Sequence, residues 1–231
     1  MHKTALLAVA DKTEIRRFAE NLLLVGGANQ IVASDGTAKD LARHTRMTGR
    51  KKPDGTDEEV RIIPEGVLMR VQDITGVPPM LDHRVVTLHH KIHAGVLARR
   101  DQREELEATG GRWIDVVCVD LYPLAPRVAE AKQKFISGEL TAEAAGKSVM
   151  EKMDVGGPTL IRGGAKTAVE GRYVLTSLDH RRRFLDHLRC GSPRDLSFRM
   201  DLAEEAIAYA QRYDDEWLAF LRSLNQAGAF V

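Results

Sequence analysis

The stretch Ala5-Leu6-Leu7-Ala8-Val9-Ala10-Asp11-Lys12-Thr13 decides the class of fold. Its first six residues are all apolar, which is typical of a strand buried on both faces of a parallel sheet. Apolar residues then repeat at helical spacing at Ile15, Phe18, Ala19, Leu22 and Leu23. A strand, a polar turn and an amphipathic helix in this order indicate an α/β fold.

The alternation of strands and helices continues along the chain. Gln30–Ala33 predicts a second strand, and the polar turn Ser34–Thr37 leads from it into another helical stretch. Trp113–Val119 is the clearest buried strand, and Arg172–Thr176 predicts one more. Strands that alternate with helices favour a mostly parallel sheet.

Two segments interrupt this alternation. Residues from about 45 to 59 are polar and show no periodicity, which predicts a mobile surface loop or flap. From Asp195 to about Leu224 a helical stripe with aromatic anchors predicts a C-terminal helix that packs on the domain or on a partner subunit. We therefore predict an α/β domain over residues 1–194, including the flap, and a helical extension over 195–231.

Composition excludes several classes of protein. The 231 residues contain 34 Lys and Arg against 33 Asp and Glu, and this balance argues against a bulk electrostatic nucleic-acid binder. No apolar run approaches the ~20 residues that span a bilayer, and no cleavage site follows the start. Cys118 and Cys190 are single and distant, which argues against a disulfide scaffold and a zinc site. We expect a cytoplasmic protein that binds neither nucleic acid nor membrane.

The two early strand-to-helix turns contain the groups of a phosphate cradle. In a parallel sheet, ligands collect at the carboxyl ends of the strands. Backbone N–H groups at a helix start, hydroxyls and a lysine together suit a phosphate; these turns supply them at Lys12, Thr13, Ser34, Gly36 and Thr37. The alternative is that Asp11, Ser34 or Thr37 only caps a helix.

Residues 82–100 are rich in His, Lys and Arg. In a helix, His89 and His93 would share one face, as a zinc pair does. No Glu follows the first His and no third ligand is evident, so we predict no metal. A polar loop around an anionic ligand is the more plausible interpretation, and a solvated basic loop is the alternative.

The stretch Asp154-Val155-Gly156-Gly157-Pro158-Thr159 predicts a backbone that approaches another group closely and then starts a helix with Pro158 at its first position. Arg162 and Lys166 lie four residues apart on that helix and need an anion opposite, for which Asp154 is a natural partner. A carboxylate with a lysine is a common proton-transfer pair. Alternatively, the glycines serve helix packing alone.

Tyr122 ends the best strand and should stand at the edge of the sheet that binds the ligand, unless it is a half-buried tyrosine with a satisfied hydroxyl. The chain resembles the inosine-monophosphate cyclohydrolase domain in six segments that occur in the same order. They are Leu6–Thr13, Ser34–Lys39, Asp73–Gly76, Arg84–Arg99, Leu121–Pro123 and Asp154–Lys166. That domain is the N-terminal half of a bifunctional purine-biosynthesis enzyme whose other half is a formyltransferase. The resemblance covers roughly residues 4–190, and the C-terminal helix resembles the family's linker.

The resemblance implies a methylglyoxal-synthase-like three-layer α/β sandwich with a mostly parallel sheet, assembled as an intertwined homodimer. It implies that the carboxamide nitrogen of a formylated aminoimidazole-carboxamide ribonucleotide attacks the formyl carbon and that water leaves. It also implies that neither a metal nor another cofactor takes part. Among the positions that match the family, phosphate binding falls to Lys12, Thr13, Ser34, Gly36 and Thr37, nucleotide binding to Arg84, Thr87, Gly156, Gly157 and Arg162, and catalysis to Tyr122, Asp154 and Lys166.

Several positions depart from the family pattern. Val86 replaces a lysine that the family places in the active site, and Asp35 replaces a glycine in the phosphate loop. Asp120 replaces an asparagine before the Leu-Tyr-Pro motif, and Glu14 replaces a glycine after the first turn. Further departures are Ala10 for serine, Thr167 for asparagine and the additional segment at about 45–59.

Three hypotheses about function follow. The leading one is a stand-alone cyclohydrolase without formyltransferase activity that forms inosine monophosphate. The second is a paralogue that closes the ring of a purine-analogue or C-nucleoside ribonucleotide, since Val86, Asp35 and Asp120 change the charge around the site. The third is a catalytically silent nucleotide-binding protein.

Overall fold

A computed structural model describes residues 3–191 and 196–226. Within these ranges five parallel strands form one sheet in the order β5-β2-β1-β6-β7, and β3 pairs with β4 in a separate antiparallel hairpin. The strands are β1 (Lys3–Ala8), β2 (Ala28–Ala33), β3 (Thr45–Lys51), β4 (Asp57–Arg61), β5 (Leu68–Arg70), β6 (Val116–Val119) and β7 (Tyr173–Leu175). The helices are α1 (Ile15–Leu24), α2 (Asp35–Ala42), α3 (Val71–Thr75), α4 (His90–Leu97), α5 (Arg103–Ala108), α6 (Ala125–Ile136), α7 (Ala142–Met150), α8 (Gly156–Lys166), α9 (Leu178–Arg189) and α10 (Leu196–Gln226).

The sheet lies between two layers of helices. Along β1, Ala5 and Leu7 pack into one core with α1, α2 and α9, whereas Leu6 packs into the other core with α4, α8 and α10. Both cores are apolar because alternate side chains of a strand point to opposite faces. The predicted three-layer α/β arrangement with a mostly parallel sheet and a C-terminal helix is therefore confirmed.

The segment at 45–59 is not the loop that its composition predicts. Thr45–Lys51 and Asp57–Arg61 form an antiparallel hairpin, and nearly every residue of the two strands is exposed. Strands with both faces in water show no apolar alternation, so the usual sequence signal for a strand is missing. The hairpin follows the end of α2, which runs away from the carboxyl edge of the sheet.

Two further predictions about secondary structure are wrong. The stretch His90–Leu97 is a helix and not a polar loop, because Ile92, Gly95 and Val96 form a buried stripe between the charged residues. Helix α8 begins at Gly156, two residues before Pro158. Proline fits there because the first N–H groups of a helix have no partner within it.

Helix α10 packs directly on the α/β layers. Its buried residues Leu202, Ala206, Ala210, Tyr213 and Phe220 belong to the cores described above. Residues 1–2, 192–195 and 227–231 lie outside the described residues, and the proposed division at 194/195 stays a prediction. Throughout 3–191 and 196–226, every helix is too short or too polar to cross a membrane.

The first turn of the fold contains a strained residue. Glu14 precedes α1 with φ 55°, a left-handed conformation that glycine adopts without cost and that other residues rarely adopt. Its carboxylate accepts hydrogen bonds from Arg182 of α9, with 2.6 Å between Oε1 and Nη2. The glutamate that replaces the family's glycine therefore gains an ion pair between α1 and α9 at the cost of backbone strain.

We predict that Glu14→Gly melts a few degrees higher than Glu14→Ala, because both variants lose the exposed ion pair but only glycine relieves the strain. Thermal unfolding followed by circular dichroism measures the difference. Arg182→Met is the matched control, since it removes the ion pair and leaves the backbone of residue 14 unchanged. Equal melting temperatures for the glycine and alanine variants would show that the left-handed conformation is not strained.

Candidate active site

A cavity of about 990 Å³ opens at the carboxyl edge of the sheet. The connections after β1 and β6 leave this edge in opposite directions, because α1 packs on one face of the sheet and α6 on the other. Such a divergence leaves a crevice between two neighbouring strands, where α/β proteins bind their ligands. Ala10 and Lys12 line the cavity from one connection, and Asp120 and Tyr122 line it from the other.

The cavity brings together most of the residues that the sequence assigned to a site. Lining it are Lys12, Ser34, Gly36, Arg84, Thr87, Tyr122, Asp154, Gly156 and Gly157, whereas Thr13, Thr37, Arg162 and Lys166 do not line it. No residue of the hairpin at 45–61 lines it either.

The cradle predicted at the first two turns is only partly available to a ligand. The Lys12 ammonium donates to the backbone oxygen of Val9, and burial lowers the pKa of this lysine. Thr37 is fully buried, and its Oγ1 accepts a hydrogen bond from the Ser34 hydroxyl at 3.2 Å. Helix α2 begins at Asp35, beside Ser34, and its first N–H groups face the carboxyl edge without partners in the helix. These N–H groups, with Ser34, are the part of the cradle best suited to a phosphate.

The starts of α1 and α2 have no side-chain cap. Asp11 Oδ1 accepts the N–H of Thr13 at 2.8 Å, and Thr13 itself is exposed. Ser34 makes no side-chain cap to α2. Helix α1 begins at Ile15 and has no side-chain cap, so the capping alternative is wrong for Asp11 as well as for Ser34.

The Asp120 carboxylate binds the turn after β1. Its Oδ1 accepts the N–H groups of Ala10 and of Asp11, the latter at 3.0 Å. Behind it lies the buried Arg181, whose Nη2 is 3.9 Å from Asp120 Oδ2. Burial raises the pKa of Asp120, and the two N–H groups and Arg181 oppose that rise. The added carboxylate is thus largely compensated within the protein.

Asp154 stands at the start of α8. Its Oδ1 accepts the N–H of Gly157 at 2.8 Å, and burial raises the pKa of its carboxyl group. A side chain at Gly157 would overlap Asp154 and Leu121, and a Cβ at Gly156 would lie 2.7 Å from Thr87 Oγ1. The two glycines therefore allow Asp154, Thr87 and the helix start to meet closely in one wall of the cavity.

Two tyrosines of α10 hold the connections that bear the candidate catalytic groups. The Tyr209 hydroxyl accepts the N–H of Leu121 at 2.9 Å, directly before Tyr122. The Tyr213 hydroxyl accepts the N–H of Asp154, also at 2.9 Å. The sequence identified these tyrosines only as packing anchors, because a hydroxyl that bonds a distant backbone group leaves no pattern along the chain.

Lys166 does not reach Asp154 of the same chain. The two residues lie at opposite ends of the 11-residue helix α8, so about 15 Å of helix separates them. Lys166 is exposed, and Arg162 forms its ion pair with Asp214 of α10. The expectation that Asp154 balances both cations within one chain is therefore wrong.

One wall of the cavity consists of charged residues, and Arg84 is the one among them that the sequence predicted. Arg84 forms a bidentate ion pair with Glu151. Lys147 and Lys152 also line this wall. Leu81, Asp82 and His83, which precede Arg84, all have positive φ. For Lys147, Glu151 and Lys152 the only sequence signal was the position of Lys152, two residues before Asp154.

Among the described residues, His89 and His93 belong to no cluster that could hold a metal ion. The His89 ring caps α4 by accepting the N–H of Lys91, and burial lowers the pKa of His93. In the part of the chain that the structure describes, no three His, Cys, Asp or Glu side chains are placed to hold a metal ion.

A smaller cavity of about 480 Å³ lies at the amino ends of the strands. Asp115 lines it, but its two oxygens accept the N–H of Thr4 at 2.9 Å and the indole N–H of Trp113 at 3.1 Å. Its carboxylate thus serves the fold, and we place the candidate site in the larger cavity.

We predict that Asp154→Asn raises the melting temperature at pH 7. The raised pKa means that ionisation of this carboxyl group disfavours the folded state, and asparagine can still accept the N–H of Gly157. Below the unfolded-state pKa of about 3.9, aspartate is protonated in both states and this difference vanishes. It grows as pH rises from there through the folded-state pKa. Thermal melts from pH 3.5 to 8 measure it, and a less stable variant at pH 7 would contradict the assigned cause.

Comparison with known proteins finds relatives named PurH and a similar solved structure. The chain is 34% identical over 226 residues to the "Bifunctional purine biosynthesis protein PurH" of Neisseria meningitidis, 31% over 225 to that of Ruminiclostridium cellulolyticum and 33% over 232 to that of Lacticaseibacillus casei. These matches cover 95–96% of this chain but 36–37% of the relatives. The crystal structure of ForH superposes with a TM-score of 0.66 at 30% identity, covering 94% of this chain and 98% of ForH. No family model matches.

Proposed function

Because the chain belongs to the family of ForH and of the cyclohydrolase portion of PurH, we propose that it closes the ring of a formamido-imidazole-carboxamide ribonucleotide and releases inosine monophosphate. The domain is related to purine biosynthesis. The observation that supports the specific activity is the single cavity that joins the start of α2, Tyr122 and Asp154.

The cavity offers one end for a phosphate and another for a heterocycle. The first N–H groups of α2 and Ser34 suit the phosphate, because a helix start favours an anion. Tyr122 and Val155 are exposed apolar side chains at the opposite side, next to Asp154, and suit a planar ring. A ribonucleotide bound this way places its two amide groups beside Asp154.

Asp154 is the group best placed to move a proton. An amide nitrogen is a weak nucleophile, so its attack needs alignment with the formyl carbon and removal of a proton. Burial raises the pKa of Asp154 towards the working range of a general base, and Gly157 fixes its orientation. The Tyr122 hydroxyl can donate to the formyl oxygen as negative charge develops there.

A role for Lys166 requires a second copy of the chain. Helix α8 keeps Lys166 away from Asp154 of its own chain, and Lys166 is exposed where another subunit can accept it. We therefore propose a homodimer in which Lys166 of one copy enters the cavity of the other.

A second candidate substrate rests on Val86. This residue lines the cavity with an isopropyl group where the family has an ammonium. Loss of that charge favours a paralogue that closes the ring of a purine-analogue or C-nucleoside ribonucleotide. Parallel assays with both substrate classes decide between the two.

The ring-closure assay tests the proposed activity. We expect the purified chain to convert 5-formamidoimidazole-4-carboxamide ribonucleotide to inosine monophosphate, followed by ultraviolet absorbance. Asp154→Asn should lower kcat/KM ~100-fold or more, because a general base is lost. Asp186→Asn, on the exposed face of α9, is the control. Nucleotide binding without turnover on either substrate would identify a silent binding protein instead.

Mixed dimers test the shared site. We expect Asp154→Asn and Lys166→Ala chains to be inactive alone and, after random mixing, to regain about a quarter of wild-type activity, since half of the dimers are mixed and each has one intact site. Each variant alone, taken through the same mixing procedure, is the control. If mixing restores nothing while native mass spectrometry shows mixed dimers, Asp154 and Lys166 do not act across the interface.

A further inference from the structure

Most cations that line the candidate site already have partners. Lys12 donates to Val9, Arg84 is paired with Glu151, and Arg127 Nη1 lies 3.2 Å from a carboxylate oxygen of Glu130. Lys147 and Lys152 also line the cavity, and neither forms an ion pair with any residue of 3–191 or 196–226. The positive charge without an ion-pair partner therefore lies in this wall, beside Glu151, whose carboxyl pKa is lowered chiefly by its hydrogen bond with Arg84 and also by the charges of Lys152 and Lys147.

Of the two lysines, Lys152 is the one held close to Asp154. The connection after α7 is fixed by the hydrogen bond from the N–H of Lys152 to Val149 O, at 2.9 Å. Tyr213 then fixes the N–H of Asp154. Two residues of chain span at most about 7 Å, so the Lys152 side chain starts within its own reach of the Asp154 carboxylate. Lys147 lies five residues earlier, on α7.

Val86 and Lys152 line the same cavity from different segments. Val86 belongs to the segment before α4, and Lys152 to the segment before α8. The position where the family has an active-site lysine is apolar, and Lys152, which forms no ion pair with a described residue, lines the same cavity. We propose that Lys152 supplies the cation that stabilises the oxygen during ring closure, and that it does so in place of a lysine at position 86; this rests on the proposed function.

Ring closure conserves the atoms and electrons of the substrate. The lone pair of the carboxamide nitrogen forms the N–C bond to the formyl carbon, and the C=O π pair moves to the oxygen, whose negative charge meets the Lys152 ammonium. The carboxamide proton passes to Asp154 and then to that oxygen. When the C–O bond breaks, the oxygen leaves as water with this proton and one from the formamido nitrogen, whose electron pair completes the ring C=N bond. No oxidant, reductant or further reactant is needed.

A purely structural role gives a different expectation. A lysine just after the end of α7 interacts favourably with the carbonyl end of the helix. Its removal would then lower the melting temperature and leave ring closure unchanged. Stabilisation of a charge that develops only during reaction lowers kcat and leaves substrate binding almost unchanged.

The experiment moves the cation between the two segments. We expect Lys152→Met to lower kcat at least ~30-fold with KM and the calorimetric Kd of inosine monophosphate within about threefold. Adding Val86→Lys to that variant should restore kcat at least ~10-fold, because the ammonium returns from the other segment. Lys132→Met on α6 is the control, since Lys132 lies outside the cavity.

Three results would overturn the inference. The first is a Lys152→Met variant with the kcat of the wild type. The second is a Lys152→Met variant in which only KM changes. The third is a double variant whose kcat is no higher than that of Lys152→Met. In all three cases the wild-type chain still catalyses ring closure, so the proposed function is not contradicted. Absence of ring closure by the wild-type chain would overturn both.

Discussion

The two hydroxyl groups of α10 fix the geometry on which the candidate site depends. The connections after β6 and before α8 have no regular secondary structure to pair the N–H groups of Leu121 and Asp154. Tyr209 and Tyr213 pair them instead, at 2.9 Å each. An unpaired, partly buried N–H group costs on the order of 1–3 kcal/mol, so both connections are held against the helix. The C-terminal helix therefore positions Tyr122 and Asp154 as well as covering the core.

Most charged groups around the cavity are also paired within the protein. Two of the three acids that depart from the family pattern are bonded within the protein, since Asp120 binds two N–H groups of the first turn and Glu14 binds Arg182. The third, Asp35, lines the cavity. Arg84 is likewise bonded to Glu151. A nearly neutral chain thus has a site in which few formal charges remain free for a ligand.

Local patterns were enough to predict much of the fold and of the site. The apolar runs at β1, β2, β6 and β7 identified the parallel sheet, because strands buried on both faces have a distinct composition. The positions of Ser34, Gly36, Asp154 and Gly156 followed from strand ends and helix starts. The exposed hairpin had no apolar pattern, and the tyrosine hydroxyls bond residues 88 and 59 positions away. The length of α8, which separates Asp154 from Lys166, became evident only when its ends were known.

A crystal structure of the chain with inosine monophosphate bound tests the central claim most directly. We expect the phosphate at the first turn of α2 beside Ser34, and the six-membered ring between Tyr122 and Asp154, with the ring carbon that was the formyl carbon facing the Asp154 carboxylate. A nucleotide with its phosphate on the wall formed by Lys147 and Lys152, or one bound at the amino ends of the strands beside Trp113, would contradict this assignment of the cavity.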